Sequence, residues 1–503
     1  MIPQERSVPA PPGGTAVAAV VVLAAGQGTR MRSSMPKVLH ALGGRSLLGH
    51  VLAAAEPLRA GVTVVVVGAG RAAVEEHLAR IAPSALPVVQ EEQRGSGHAA
   101  AVALAAVPDL EGPVLLVNGD APLLRAETVT ALVAAHQAAG SVLTVLTAEV
   151  EDPTGLGRIV RQDGAVRAIV EERDATDEQR AIREINAGVY VGDAAAVRRA
   201  LARISTDNDQ GEQYLTDVLG LLVADGAAVG GFVAPDPDDV LGCNDRLELA
   251  ARRRTLNDRV LADLMRGGVT VIDPQTTWVD VTCSVGADAV LEPGTQLRGT
   301  TSVAAGAVVG PDSTLVDTEV GEGSSVVRAH CLQAVIGPEV SVGPFAYLRP
   351  GTRLAARSKV GTFVETKNAD IGEGSKVPHL TYVGDATIGR GTNIGAASVF
   401  VNYDGVTKHH TSIGDHARTG ADNMFVAPVT VGDGAYTAAG SVITSDVPPG
   451  AMAVARAPQR NVAGWVRRRR SGTPAALAAE AAASRAEAPG GGHSEVRGAD
   501  TEQ

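Results

Sequence analysis

Cysteine is scarce in this 503-residue chain, and the three present, Cys243, Cys283 and Cys331, lie far apart. They build neither a disulfide framework nor a zinc site, which points to a reduced, cytoplasmic setting. There is no surplus of positive charge: Lys and Arg total 44 against 56 Asp and Glu, a net charge of −12. That balance disfavours a nucleic-acid binder, which needs a basic face. Long apolar runs are missing as well. The longest near the start, Ala16 to Ala25, is about half of the roughly 20 residues that a membrane span requires. Glu5 and Arg6 leave the segment before it without net positive charge, and the run leads straight into a glycine loop. It reads as a buried strand rather than a secretory signal.

What the chain does have is a period of six. Val285, Leu291, Leu297, Val303, Val309 and Leu315 fall six apart, and the phase returns at Ile336, Val342, Leu348, Leu354 and Val360. It returns again at Ile371, Val377 and Val383, at Ile388, Ile394 and Phe400, and from Ile413 through Phe425 and Val431 to Ile443. Neither the helical period of 3.6 nor the strand period of two accounts for this. A parallel β-helix of triangular section does: each hexad forms one flat side, its aliphatic residue points inward, and three hexads close a coil. A glycine-rich sandwich is the alternative, but its strands would alternate at period two with variable spacing. Side chains fill such a prism, so any site lies on its outer walls or between copies, and a trimer suits three sides.

The length calls for a second core. From Val20 to Ala25 an apolar strand ends in Gly26-Gln27-Gly28-Thr29-Arg30-Met31, followed by Pro36-Lys37. A strand, a glycine loop and then cations bring backbone N–H groups and charge to phosphates. Strand-like runs at Val62 to Val67, Val114 to Val117 and Val142 to Leu146 alternate with Ala-rich segments at 99–106 and 126–139. This order implies a doubly wound, Rossmann-like parallel sheet with ligands at the carboxyl ends of its strands. Asp120, just after one such strand in Asn118-Gly119-Asp120, is placed to hold Mg²⁺ against a triphosphate; capping a helix is its alternative role. Leu247 to Met265 has helical spacing and ends at Gly267-Gly268, a linker arm that separates two independent sites; its Arg252-Arg253-Arg254 run reads as a solvated face.

Polar clusters gather where the hexads lapse. They run from Arg349 through Phe363-Val364-Glu365-Thr366-Lys367 to His379-Leu380-Thr381-Tyr382, and from Asn393 to Lys408, with Asn402-Tyr403 in a projecting loop. With about eighteen residues per coil, Arg349 and Lys367 stack on one wall and invite a phosphate. His379 falls near Glu365 in that winding and suits a base.

Together, LAAGQGTRMRSSMPKVLH and the hexapeptide half resemble the bacterial bifunctional N-acetylglucosamine-1-phosphate uridyltransferase / glucosamine-1-phosphate N-acetyltransferases, from about Val20 to Trp465. The resemblance implies an α/β nucleotidyltransferase domain and a left-handed β-helix acetyltransferase domain. It also implies Mg²⁺ as cofactor, UTP and acetyl-CoA as cosubstrates, and glucosamine 1-phosphate and N-acetylglucosamine 1-phosphate as substrates. The expected segments are a disordered leader (1–15), the uridyltransferase domain (16–246), the linker (247–268), the β-helix (269–465) and a disordered tail (466–503).

Carried over by motif, Leu23, Ala24, Ala25, Gly26 and Lys37 hold the nucleotide, and Gln90, Gly95 and Ser96 read uracil. Ser96 stands where the family often has Thr; Asn118, beside Gly119, replaces a common aromatic residue. Gly157, Glu171 and Asn186 contact the sugar, and Asp120 with Asn244 holds the metal, although Asn244 also stands where a helix N-cap belongs. Lys37 and Arg30 neutralise charge during transfer. In the second half Arg349, Lys367, Tyr382 and Asn393 bind glucosamine 1-phosphate, His379 is the base and Glu365 orients it. Ala396, Asn402, Tyr403, Ala421, Ala439 and Arg456 match acetyl-CoA positions; Ala421 departs from the usual Ser. Two other readings stay open: a uridyltransferase whose β-helix only scaffolds trimers, and a non-catalytic sugar-nucleotide sensor.

Overall fold

The computed structural model describes residues 17–487, so the expected leader and the last part of the tail lie outside the described residues. Strand β1 (Ala19–Leu23) runs into the glycine loop, and a small hairpin of β2 (Ala41–Leu42) and β3 (Arg45–Ser46) leads to helix α1 (Leu47–Ala55). Next come β4 (Val62–Val67), α2 (Arg71–Ile81), β5 (Leu86–Val89), α3 (Ser96–Ala105), β6 (Pro113–Asn118), α4 (Ala126–Ala139) and β7 (Leu143–Glu149). A hairpin of β8 (Arg158–Gln162) and β9 (Ala165–Val170), the short α5 (Asp177–Arg180), β10 (Glu184–Asp193), α6 (Ala194–Leu201), α7 (Asp217–Ala224) and β11 (Val229–Val233) complete this half.

The sheet order is β11-β7-β10-β6-β1-β4-β5. β1 lies between β4 and β6, parallel to both. Its alternate residues enter opposite cores, Val20 and Val22 one, Ala19 and Val21 the other, which is why it reads as an unbroken apolar run. The wholly parallel sheet expected from sequence needs correcting. β10 runs antiparallel to both β6 and β7, because the chain reaches it through the β8–β9 hairpin instead of a crossover helix.

In the second half short parallel strands stack on three walls, the left-handed β-helix of the expectation. One wall carries Gln296–Arg298, Thr314–Val316, His330–Leu332, Tyr347–Leu348 and the first part of Glu365–Ile371, each in parallel register with the next. Leu291, Leu297, Leu315, Leu348, Val360, Val377, Val383, Ile394, Phe400 and Phe425 form one continuous core along the axis. Each such aliphatic side chain contributes about 1.5–3 kcal/mol by leaving water. Val285, in the first coil, is only partly buried. The hexad pattern did not reveal the buried hydroxyls at the corners: Thr295 donates to Glu292 O at 2.7 Å and Ser324 to Gly337 O at 2.7 Å. They satisfy carbonyls that the turns leave without strand partners.

The linker is a single helix, α8 (Arg246–Arg266), capped by Asp245, whose side chain accepts from Glu248 N. It is not a free arm. The buried Asn257 donates to Thr277 O at 2.9 Å and accepts from Val279 N at 3.0 Å, so the helix is bonded to the first coil. The three arginines stay partly or fully solvated, Arg253 exposed and Arg252 and Arg254 half-buried, and also tether the helix to both halves. Arg252 donates to Gly242 O and Arg253 to Ala41 O, while Arg254 donates to Gln275 O and covers the Trp278 ring at 4.3 Å. Val281 N also donates directly to Gly43 O at 2.9 Å.

The tail departs from expectation too. Helices α9 (Trp465–Arg469) and α10 (Pro474–Glu487) occupy part of the stretch expected to be disordered. Alanine repetition looks like low complexity, yet alanine is the strongest helix former, and Ala476 is fully covered. Trp465 is half exposed, with Arg470 5.4 Å from its ring centre.

Asn257→Ala strips two buried backbone groups of their partners, at about 1–3 kcal/mol each. Urea unfolding should show a lower midpoint at unchanged slope.

Candidate active sites

In the α/β half a cleft of about 400 Å³ opens at the carboxyl ends of β1, β5 and β6. Leu23, Ala24, Ala25, Gly26, Lys37, Gln90, Gly95, Ser96, Asn118 and Asp120 all line it, so the segments singled out in the sequence meet in one place. Gly119 N donates to Leu23 O at 2.9 Å beneath it. Arg30 does not join them: it is exposed on a single 3-10 turn, Thr29–Met31.

The Lys37 ammonium is ion-paired with Asp120 and donates to Asn244 Oδ1 at 3.2 Å. The alternatives raised for these two residues fall away. The residue before α4 is Arg125, not Asp120, and α8 is capped by Asp245, which leaves the Asn244 side chain to the cleft. A carboxylate and an amide oxygen thus converge on one cation, a donor set that suits an ion filling its other positions with water and phosphate.

Other residues shape the cleft without having been flagged. Gln93 donates to Ala25 O at 2.8 Å and ties the glycine loop to the Gln90 segment; Glu212 also lines the opening. Gln90 Nε2 lies 3.0 Å from His98 Nδ1 and donates to Gly95 O. The Ser96 hydroxyl accepts from Leu215 N at 3.0 Å, which docks the 213–215 segment on the start of α3. No local pattern near Gln93 or Glu212 marks them; only their distance in space to β1 does.

The three sugar-segment residues also assemble. Asn186 N donates to Gly157 O at 2.8 Å, and Gly157 packs against the Glu171 carboxylate. Asn186 precedes a bulge in β10, where Gly188 has φ +69° and a Cβ would strike the Asn118 amide. The bulge re-aims Asn186 and links this cluster to the cleft through Asn118. Glu171 accepts from Thr216 at 3.2 Å. Burial raises its pKa, with smaller contributions from the charges of Asp174 and Asp217, against the Thr216 hydrogen bond.

On the β-helix, Tyr347, Glu365 and Tyr382 stack in register, which puts Arg349 directly over Lys367 as the coil spacing requires. Lys367 lies 4.0 Å from the buried Asp385, which accepts from Asn368 at 2.8 Å and from Asn402. Burial opposes the Asp385 charge, but these hydrogen bonds and the ammonium groups of Lys367 and Lys408 outweigh it and hold its carboxyl low. Lys408, from the projecting loop, approaches Lys367 closely enough to depress its pKa. Asp385 and Lys408 belong to the polar clusters of the sequence, but the sequence assigns them no role, because their roles depend on which coils touch.

The geometry gives Glu365 a partner other than the one expected. Its carboxylate accepts from Arg349 at 2.8 Å, and no hydrogen bond joins it to His379 among the described residues. His379 is exposed at the corner between two walls. At that corner the coils line up: Ala397 N donates to His379 O, Asp422 N to Ala396 O and Gly440 N to Ala421 O. His379, Ala396, Ala421 and Ala439 therefore occupy equivalent corner positions on successive coils, a ledge of small side chains with an imidazole at one end. Asn393 bridges Lys376 and Arg418 on the wall next to it. Asn402 is buried and Tyr403 exposed at the base of the loop, and Arg456 is exposed past the last coil.

The profile of the MobA-like NTP transferase domain family matches residues 20–217. Over 473 residues the chain is 60% identical to the bifunctional protein GlmU of Streptomyces avermitilis, covering 93% of this chain and 98% of that protein. The chain belongs to the bifunctional GlmU family. The Streptomyces coelicolor protein of that name is likewise 60% identical over 473 residues, and the Kineococcus radiotolerans one is 56% identical over 466 residues. The similarity to the GlmU family spans both halves, the cleft and the corner alike. No helix among the described residues is long and apolar enough to cross a membrane.

Glu171→Gln tests the half-buried carboxyl. A raised folded-state pKa means that the native state binds a proton which the unfolded chain releases. Stability from this group is therefore lost as pH rises from the ordinary carboxylate range through the raised value. Thermal unfolding at pH 7 should show the substitution to be stabilising, and the gain should shrink toward pH 4.

Proposed function

We propose that the chain makes UDP-N-acetylglucosamine, a precursor of cell-envelope glycans, by two transfers at separate sites. The β-helix passes acetyl from acetyl-CoA to glucosamine 1-phosphate. The α/β half passes uridylyl from UTP to N-acetylglucosamine 1-phosphate and releases pyrophosphate. What supports this most is that the residues expected for the two reactions fall into two groups, one around a cleft and one on a wall and corner, within a chain of the bifunctional family.

In uridyl transfer the sugar phosphate attacks the α-phosphorus, and no protein base is needed because the nucleophile is already anionic. Gln90, Gly95 and Ser96 read uracil, and Leu23 to Gly26 bring backbone close to the phosphates. Gly157, Glu171 and Asn186 hold the sugar. Lys37, presented by Asp120 and Asn244, is ready to turn to the triphosphate, with Arg30 free to follow from the rim. Asp120 and Asn244 would hold Mg²⁺, which when bound neutralises phosphate charge.

In acetyl transfer Arg349 and Lys367, joined by Lys408, bind the sugar phosphate, while Tyr382 and Asn393 orient the sugar. His379 takes the amine proton as nitrogen attacks the thioester carbonyl, and coenzyme A leaves as thiol. The alanines at the corner leave room for the pantetheine arm beside Asn402 and Tyr403, and Arg456 meets the cofactor phosphates. A homotrimer completes this site. Phe345, Phe363 and Leu380, each more than half exposed on neighbouring coils of the same corner, form an apolar stripe for another copy to cover, with the two Phe rings stacked at 5.4 Å. The reading involves no nucleic acid and no membrane; UTP and acetyl-CoA place it in the cytoplasm.

Ala421 favours one second reading, a uridyltransferase on an inert scaffold, since a hydroxyl usual beside the thioester is missing.

Asp120→Ala should abolish pyrophosphate release while acetyl-CoA-dependent thiol release continues. His379→Ala should do the reverse, losing about 10²–10⁴-fold in acetyl transfer. Loss of both activities in either variant would sink the two-site reading. Ala421→Ser should raise the acetyl-transfer rate; a wild-type protein with none would leave the scaffold.

A further inference from the structure

Behind Asp120 and Asn244 lies a charged network to which neither reaction, as described above, assigns a role. Asp239 is buried completely, yet its carboxylate is fully engaged. Arg125 Nε reaches both of its oxygens, at 2.8 and 3.1 Å; the Thr128 hydroxyl donates to one and Arg259 reaches the other at 2.9 Å. Arg259 also donates to Leu123 O at 2.9 Å and to Asp236 at 2.8 Å.

The placement of these groups is what matters. Arg125 follows Asp120 by five residues and Asp239 precedes Asn244 by five, so the two segments that end in Asp120 and Asn244 are clasped at their far ends by Arg125 and Asp239. Near the pair they are clasped again, by Cys243 N donating to Asp120 O at 2.9 Å. Arg259 adds a third point from α8, two residues after Asn257 has bonded that helix to the β-helix. Stability alone is a poor reason for such a network, because well-packed apolar residues often replace buried ion pairs without loss. Geometry is a better one. A small octahedral cation tolerates little error in its ligands, and partners behind those ligands set their positions.

We propose that Asp239 is a positioning residue for uridyl transfer, fixing the gap between the Asp120 and Asn244 oxygens through Arg125 and Arg259. The proposal rests on the reading of those two oxygens as a cation site. It also makes α8 part of the uridyl machinery, not a spacer.

The test uses the full chain as wild type, Asp239→Asn, Arg259→Gln and Asp120→Asn. Mn²⁺ is titrated in the presence of UTP, free Mn²⁺ is followed by electron paramagnetic resonance, and acetyl transfer is measured on the same samples. Asp239→Asn should raise the Mn²⁺ half-saturation roughly tenfold or more, and Arg259→Gln by a smaller factor, with acetyl transfer unchanged. An unchanged half-saturation in Asp239→Asn, while Asp120→Asn loses the ion, overturns the role of Asp239 alone. Wild-type Mn²⁺ binding in Asp120→Asn overturns the cation-site reading beneath it. If Asp239→Asn loses acetyl transfer as well, the chain has been damaged globally, and Arg259→Gln decides: wild-type Mn²⁺ binding there overturns the proposal.

Discussion

The backbone ladder between successive coils is the constraint on which the β-helical half depends. Each short strand pairs in parallel with its counterpart one coil away, as Tyr347 does with Glu365 and Glu365 with Tyr382. Equivalent residues therefore stack in columns. Inward columns become a continuous aliphatic core, and outward columns become lines of repeated chemistry. Arg349 over Lys367, and the alanines that follow His379 along one corner, are consequences of the same ladder. Because the columns cannot slip without turning aliphatic residues outward, the wall holds like charges near one another, with Asp385 and Glu365 as counter-charges.

The α/β half works differently. Its functional groups come from loops at strand ends, where no ladder fixes their spacing. Lys37, Asp120 and Asn244 meet only because segments distant in sequence are pinned by backbone bonds such as Cys243 N to Asp120 O and by the Asp239 network. Burying Asp239 desolvates its charge, and the hydrogen bonds that satisfy it offset the cost.

Between the halves, α8 carries a division of labour on one helix. Asn257 faces the first coil, Arg259 faces the loops of the cleft, and Arg254 covers Trp278. The cleft and the polar wall occupy separate places, yet the frame that supports one is bonded to the other.

Much of this is legible in the chain alone. The six-residue period located the inward residues, the strand–loop–cation signature located the cleft, and the hexad lapses located the polar wall. These features can be read because each is a local repetition or a short motif whose physics acts within a few residues. What the sequence left open were matters of contact. An antiparallel β10, a carboxylate at Glu365 turned to Arg349, a buried Asp239, an amine from Lys408 beside Lys367, and arginines that tether the helix all depend on which distant segments touch. The sequence by itself determined the periodicity, the apolar faces and the chemical types available. The tertiary structure decided which charge neutralises which, because a charge leaving water must find its partner in space, and that partner is rarely its neighbour along the chain.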